Sequence, residues 1–139
     1  VGLKERLVFW RLWHPLPSNR VFSKLMDSDP RIDVENVRSK INPLPTDPSE
    51  QNRIWYGIYK KQRYEPIIFQ LNQRFLILRD ITGLFGLAIF LVPAATWVLS
   101  GAYVKAIFVE LALFIIVSLS ARNAGNRFAL SVVNDFSHD

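Results

Sequence analysis

The feature that most constrains this chain is the apolar stretch at residues 81–121, in which the only charged side chains are Lys105 and Glu110. Residues 81–99 carry no charge and would extend about 28 Å as a helix. That length is close to the ~30 Å hydrocarbon thickness of a bilayer. Residues 102–121 form a second segment of sufficient length. The sequence therefore predicts an all-α membrane protein built on a two-helix transmembrane hairpin.

The alternative is a pair of buried helices in a soluble protein. Neither apolar segment has a polar face, so burial in water would require a large core around both helices. The rest of the 139-residue chain is charged and contains seven of its eight prolines. Since such a sequence does not supply that core, the membrane hairpin is the favoured interpretation.

Charge at the ends of the hairpin predicts its orientation. Four basic residues flank the apolar stretch, whereas the region of the predicted Ser100-Gly101 turn carries only Lys105. Excess positive charge marks the cytoplasmic side, so both ends of the chain are predicted to be cytoplasmic. Trp97 and Tyr103 bracket the turn, as interfacial aromatic residues do. The flanking basic residues are Arg74, Arg79, Arg122 and Arg127.

Two further features of the hairpin concern helix shape and packing. Pro93 lies within the first segment and predicts a kink, because it lacks a backbone donor and obstructs the preceding turn. Small residues recur at a spacing of four in the pairs Thr82 and Gly86, and Ala121 and Gly125. This spacing allows close helix approach, either within the hairpin or between copies.

The first part of the chain differs sharply in charge. Residues 1–79 contain 14 Lys or Arg and 8 Asp or Glu, and the whole chain has a net charge of +5. A basic region beside a membrane segment is attracted to the anionic cytoplasmic leaflet. Nucleotide or nucleic-acid binding is a second interpretation, although no recognition motif accompanies the charge. The predicted organisation is a basic cytoplasmic or interfacial helical region (residues 1–79), the transmembrane hairpin (residues 80–121) and a cytoplasmic helical tail (residues 122–139).

Local signals predict helices in the basic region. Asp47, Pro48 and Glu50 form a capping-box arrangement that starts a helix ending near residue 64. A short helix is expected earlier, with Ser28 or Asp29 as its N-cap. No turn signal separates residue 67 from the first apolar segment, so one continuous helix is expected there. The helix with Ser28 or Asp29 as its N-cap is predicted at residues 32–41, and two other helices are predicted at residues 21–26 and at residues 3–13, where Trp10 and Trp13 suit the headgroup layer.

Glu110 is the most informative single residue. A carboxylate about 12 Å into an apolar span costs about 2.5 kcal/mol or more on insertion scales. We therefore expect Glu110 to face water, a polar cavity or another helix, and Ile107 and Phe114 share its helical face. One hypothesis places it on an oligomer axis or a cation pathway. The alternative is a hydrogen-bonded glutamate in an ordinary helix interface.

Two polar clusters outside the span are further candidates. The first follows the second apolar segment and would contact a pore mouth, an oligomer partner or lipid headgroups. The second lies on the helix that begins near Asp47 and would contact phosphates, nucleotides or lipid headgroups. The first cluster is Arg122, Asn126 and Arg127, with Asn123 beside them; the second is Arg53, Lys60, Lys61 and Arg63.

Catalytic and metal-binding patterns are absent from the sequence. The chain has no cysteine, and His14 and His138 lie far apart and outside the apolar segments. It has no glycine-rich phosphate loop, nucleophile elbow or paired-histidine zinc motif. We therefore expect no enzymatic activity, no cofactor and no bound metal. The chain begins with Val-Gly-Leu, and we expect it to be part of a longer protein.

Two stretches resemble known sequences. Residues 45–61 (PTDPSEQNRIWYGIYKK) and 120–128 (SARNAGNRF) resemble uncharacterised prokaryotic multi-span membrane proteins. Some proteins of that kind act as membrane effectors in anti-phage defence, in which a nucleotide signal releases or opens a membrane channel. The resemblance implies a multi-pass protein of the bacterial inner membrane, and no site residue follows from it.

Three functional hypotheses remain open on the sequence alone. The first is a non-enzymatic membrane module that self-associates and acts as a channel or membrane-disrupting effector. The second is a structural accessory subunit of a larger membrane complex. The third is a membrane-anchored nucleotide-sensing module. The expected partners are the lipid bilayer and further copies of the chain, with a nucleotide or nucleic acid as a possible ligand in the third case.

Overall fold

The structure is a computed structural model that describes residues 2–11, 13–100 and 103–139, apart from the side chains of residues 96–100, 103 and 104. The described residues form helices and connecting loops without a β-strand, which confirms the predicted all-α class. The described residues include five α-helices, and a run of short 3-10 and π-helical turns lies between the first two. The α-helices are α1 (Leu3–Phe9), α2 (Val34–Lys40), α3 (Pro48–Gln62), α4 (Pro66–Ser100) and α5 (Tyr103–His138).

The two long helices α4 and α5 pack side by side in opposite directions. Gly86 of α4 lies against Phe114 of α5, whereas Phe75 of α4 lies against Gly125 of α5. Helix α4 confirms the predicted continuous helix and extends through Pro93. The predicted turn at Gly101 lies outside the described residues, as do the side chains of Trp97 and Tyr103.

The hydrophobic core lies at the end of the α4–α5 pair that is remote from the predicted turn. Residues 122–139, predicted as a cytoplasmic tail, continue α5, and much of this stretch is buried. Helix α3, the turns before α2 and the start of α4 pack around it. The buried apolar residues of α5 are Ala121, Ala124, Phe128, Ala129, Val132 and Val133. The basic region of the chain is thus folded around an extension of the apolar hairpin.

Helix α3 begins as its sequence predicts. The Asp47 side chain accepts a hydrogen bond of 2.9 Å from the backbone N–H of Glu50, and Pro48 occupies the first turn. The apolar face of α3 then packs on α5 through Trp55, whose Nε1 donates to the Ala129 carbonyl at 3.0 Å. The Trp55 ring stacks on Tyr59 and meets Phe128 edge-on. Local capping therefore starts α3, and aromatic packing fixes its position.

The segment between α1 and α2 is bound to the start of α3 by several hydrogen bonds, of which the buried Gln51 side chain makes the most. It contains a 3-10 turn (Pro17–Arg20), a π-helical turn (Val21–Leu25) and a second 3-10 turn (Met26–Ser28). The Gln51 side chain is 1% exposed, and its Oε1 accepts hydrogen bonds from the backbone N–H groups of Phe22 and Ser23. Its Nε2 donates to the Ser23 hydroxyl. These bonds satisfy backbone donors that regular α-helical geometry would otherwise satisfy.

Two predicted helix boundaries are wrong. The first helix ends at Phe9, because Trp10 adopts a left-handed conformation with φ of 53°. Helix α2 starts after Asp33, whose side chain accepts from the Asn36 N–H, and not after Ser28 or Asp29. Asp29 instead pairs with Arg31. Tertiary contacts explain the second error, since the Asp33 N–H donates a hydrogen bond to the Ser137 hydroxyl at the end of α5.

Candidate functional site

Helix α1 is attached by ion pairs to the part of α4 where the apolar stretch begins. Arg79 contacts Glu5 at 2.9 Å, and both side chains are largely buried, with 23% and 15% exposure. Lys4 contacts Asp80 at 3.1 Å on a more exposed side. Arg79 and Asp80 thus both bind α1, and the Arg79–Glu5 pair is sufficiently buried that loss of one partner would leave an uncompensated charge.

Small residues of the hairpin allow α1 to approach closely. The Ser118 hydroxyl, which is fully buried, donates to the Val8 carbonyl at 3.2 Å. A Cβ atom placed on Gly86 would lie 3.2 Å from Leu7, and one on Gly125 would lie 2.8 Å from Phe9. At both glycines, α1 packs closely against the hairpin, and so does the neighbouring helix of the hairpin.

Beyond this junction, α4 and α5 leave their apolar side chains uncovered. Two helices are long and apolar enough to cross a membrane, and only 17% and 11% of their most apolar stretches are buried within the structure. The core helix of a soluble protein would be mostly buried. The large side chains that are at least half exposed include Leu84, Leu87, Phe90, Leu91, Phe108, Val109 and Ile116. These exposed apolar side chains of α4 and α5 form a candidate binding surface.

Glu110 lies on the face of α5 that is turned toward α4. Ile107 and Phe114 on the same face are partly buried, whereas Phe108 and Val109 point outward. The Glu110 Oε2 atom is buried, and no described group donates a hydrogen bond to it. One oxygen of the carboxyl group is thus enclosed beside the hairpin interface with unsatisfied hydrogen-bonding capacity, where a donor such as a buried water would be stabilising.

The polar residues after the second apolar segment do not share one side of α5. Arg122 lies near Arg20, and its charge acts on that residue. Arg127 lines an open groove between α4 and α5, with Arg74 and Asn123 beside it. The Asn126 Oδ1 atom is buried without a described partner. Arg122 and Arg127 therefore serve two different surfaces, one toward the basic region and one toward the α4–α5 groove.

The basic residues of α3 and of its C-terminal cap are exposed, and most already contact a neighbour. Arg53 contacts Glu50 at 3.4 Å. The Lys60 ammonium lies over the Tyr56 ring, and Arg63 contacts the Tyr64 ring and hydroxyl. Lys61 is exposed. This arrangement has the geometry of a solvated helix face more than that of an enclosed phosphate site.

The structure assembles one basic cluster that the sequence did not indicate. Arg11, Arg20 and Lys24 line a cleft in the segment before α2, and Arg122 of α5 lies nearby. These residues are separated by up to 111 positions, and two of them lie in irregular turns, so no periodic pattern connects them. Their basic character is the one signal that the sequence offered.

Comparison with protein-family models, with curated proteins and with solved structures gives no match. Within the described ranges, no group of three or more His, Cys, Asp or Glu side chains could hold a metal ion. The fold therefore defines the protein at the level of class: an all-helical protein with two antiparallel apolar helices long enough to cross a membrane, joined directly to a basic helical region.

Proposed function

We propose that this chain is a non-enzymatic, multi-pass membrane module of a bacterial inner membrane. Its hairpin spans the bilayer, both flanks of the hairpin lie in the cytoplasm, and copies of the hairpin associate to act as a channel or membrane-disrupting effector. The observation that carries the proposal is the uncovered apolar surface of α4 and α5. In water, this surface would be costly at about 25 cal/mol per Å².

The position of the charged groups supports the orientation. The ion pairs of Arg79 and Asp80 with α1 lie at one end of the apolar surface, next to the basic helical region. Arg122 follows the apolar part of α5 at the same end. Positive charge concentrated at one end of a hairpin favours placement of that end on the cytoplasmic side.

The rigid connection between the two parts supports an effector role. Helices α4 and α5 run without a break from the buried core into the apolar hairpin. Movement of the cytoplasmic core would therefore be transmitted to the membrane segment through continuous helices. Glu110 supports self-association, because an ionisable side chain within an apolar span is costly unless it faces a polar cavity or another helix.

We expect the purified full-length protein in mild detergent to form a closed oligomer of about four or more identical copies. Native mass spectrometry measures the subunit number, and planar-bilayer recording measures conductance. Glu110→Leu is expected to remove the conductance while making membrane insertion more favourable by about 2.5 kcal/mol. Glu110→Gln, which retains hydrogen-bonding capacity, should keep the oligomer.

The matched control is Val109→Leu, because Val109 neighbours Glu110 but points away from α4. It should leave subunit number and conductance unchanged. Unaltered conductance in Glu110→Leu would refute a role for this carboxyl group in a pore. A monomer would refute self-association, and co-purification with unrelated subunits would favour the accessory-subunit hypothesis instead.

A further inference from the structure

A small cleft lies where the segment before α2 meets the start of α3. This open cleft has a volume of about 290 Å³. Three cationic side chains line it, and none of its described lining residues is acidic. Neutral polar groups of Asn19, Ser23 and Gln51 complete the wall. The full lining is Arg11, Trp13, His14, Asn19, Arg20, Ser23, Lys24, Thr46, Pro48 and Gln51.

The cations of this cleft have no counter-ion in the described part of the chain. The ion pairs of the protein involve other residues, including Lys4, Arg31 and Arg79. The Arg20 Nε is buried and has no hydrogen-bond acceptor. Burial, followed by the nearby charges of Arg11 and Arg122, lowers the pKa of Arg20. Like charges are therefore held close together, with at least one donor group unused.

Such an arrangement is unfavourable unless an anion joins it. Two guanidinium groups that face a common cavity present parallel N–H donors that match the oxygens of a phosphate. The cleft, which is open to solvent, has room for a phosphate group.

The position of the cleft relates it to the membrane boundary. Arg122, which lies near Arg20, directly follows the predicted second membrane segment. Trp13 lines the cleft and is 81% exposed, as expected of an indole in a headgroup layer. If the hairpin is inserted as proposed, the cleft lies at the depth of the lipid phosphates.

We propose that this cleft binds a phosphate group through Arg11 and Arg20, with Lys24 and Arg122 supplying additional positive charge. The phosphate belongs either to an anionic phospholipid headgroup or to a soluble phosphate compound. The lipid source rests on the membrane placement of the proposed function. Phosphate binding itself requires neither a channel nor self-association. A negative binding result would therefore leave the channel proposal intact, and a monomeric protein would leave the phosphate-binding proposal intact.

The test uses full-length protein purified in mild detergent. Short-chain phosphatidic acid is titrated against short-chain phosphatidylcholine, and inorganic pyrophosphate is titrated separately, at low and high salt. Native mass spectrometry counts the bound molecules, and calorimetry gives the dissociation constant. Circular dichroism verifies that each variant is folded. Arg11→Gln is included beside Arg20→Gln because Arg11 is exposed and its replacement disturbs packing least.

We expect one saturable site per subunit, weaker at high salt, with affinity reduced about tenfold in Arg20→Gln and in Arg11→Gln. Arg53→Gln is the matched control, because it removes the same charge from the exposed face of α3 and should change affinity less than about twofold. Arg11→Gln should not lower the stability of the ligand-free protein, since it relieves repulsion.

Each outcome has a defined meaning. Binding of phosphatidic acid but not of phosphatidylcholine or pyrophosphate identifies a lipid headgroup, whereas binding of pyrophosphate with the same dependence on Arg11 identifies a soluble phosphate. If neither phosphatidic acid nor pyrophosphate binds saturably, the proposal is overturned. Equal loss of affinity in Arg53→Gln and Arg11→Gln would also overturn it, because binding would then reflect only the overall positive charge.

Discussion

Trp55→Ala is expected to destabilise the helical region by about 3–5 kcal/mol, the usual cost of truncating a large buried aromatic side chain. Trp55 is 7% exposed and stacks on Tyr59, with the Phe128 ring edge-on to it. Its Nε1 donates to the Ala129 carbonyl. Truncation therefore leaves a cavity and removes a contact that fixes α3 against α5. Thermal unfolding in mild detergent, followed by near- and far-UV circular dichroism, measures the effect.

The matched control for this prediction is Trp55→Phe. Phenylalanine retains most of the aromatic packing and loses the hydrogen bond to Ala129, so a smaller loss of about 1 kcal/mol is expected. The far-UV signal of the long helices should persist in both variants at temperatures where the near-UV signal of Trp55→Ala is lost. Equal stability of the alanine variant and the wild type would show that α3 does not dock on α5 through this residue.

Gly125→Val is expected to cost about 3 kcal/mol, at the upper end of the range for overpacking. A Cβ atom at Gly125 would lie 2.8 Å from the Phe9 ring and 2.9 Å from the Phe75 ring. Both rings belong to the buried core, so neither can move freely. The substitution should release α1 from α4 and α5, and protease cleavage between α1 and α2 should become faster.

Gly57→Ala provides the opposite result as a control. Gly57 lies within α3, and a Cβ atom there would meet no heavy atom within 4 Å. Alanine has a higher helix propensity, so this variant should be more stable by about 0.5–1 kcal/mol. If both glycine variants changed stability in the same direction, the close packing of α1 against Gly125 would not be supported.

The sequence predicted those elements whose signals are local. Asp47 and Pro48 mark the start of α3, and uninterrupted apolar character marks α4. Caps and apolar periodicity act over a few residues, so these boundaries could be predicted from the chain alone. The change from a highly charged region to a nearly uncharged stretch at residues 81–121 likewise predicted two apolar helices. Their uncovered apolar surface is the basis of the proposed function.

The segment between α1 and α2 could not be predicted in the same way. Its π-helical turn depends on Gln51, which is 28 and 29 positions from the backbone groups that it binds. The start of α2 depends on Ser137, which is 104 positions from Asp33. Because these contacts join distant parts of the chain, no local pattern contains them, and the periodicity of residues 3–13 did not show that α1 ends at Phe9.

In the candidate site too, local features could be predicted from the sequence and long-range contacts could not. Glu110 was noticeable as a lone acid in an apolar segment, but its position toward α4 depends on how the helices pair. Arg122 and Arg127 are close in sequence, yet they serve different surfaces. The basic cleft combines residues from a loop, two irregular turns and α5, so it became visible only when the fold brought Arg11, Arg20 and Arg122 together.

Site-directed labelling with a membrane-impermeant maleimide tests the membrane hairpin most directly, because the chain has no native cysteine. Three single-cysteine variants are compared in spheroplasts, before and after the membrane is opened. Phe108→Cys should remain unlabelled throughout, although Phe108 is 69% exposed in the structure. Lys61→Cys should react only after opening, and Gly101→Cys, at the predicted turn, should react in intact spheroplasts. Rapid labelling of Phe108→Cys, or release of the protein into the soluble fraction, would contradict the membrane hairpin.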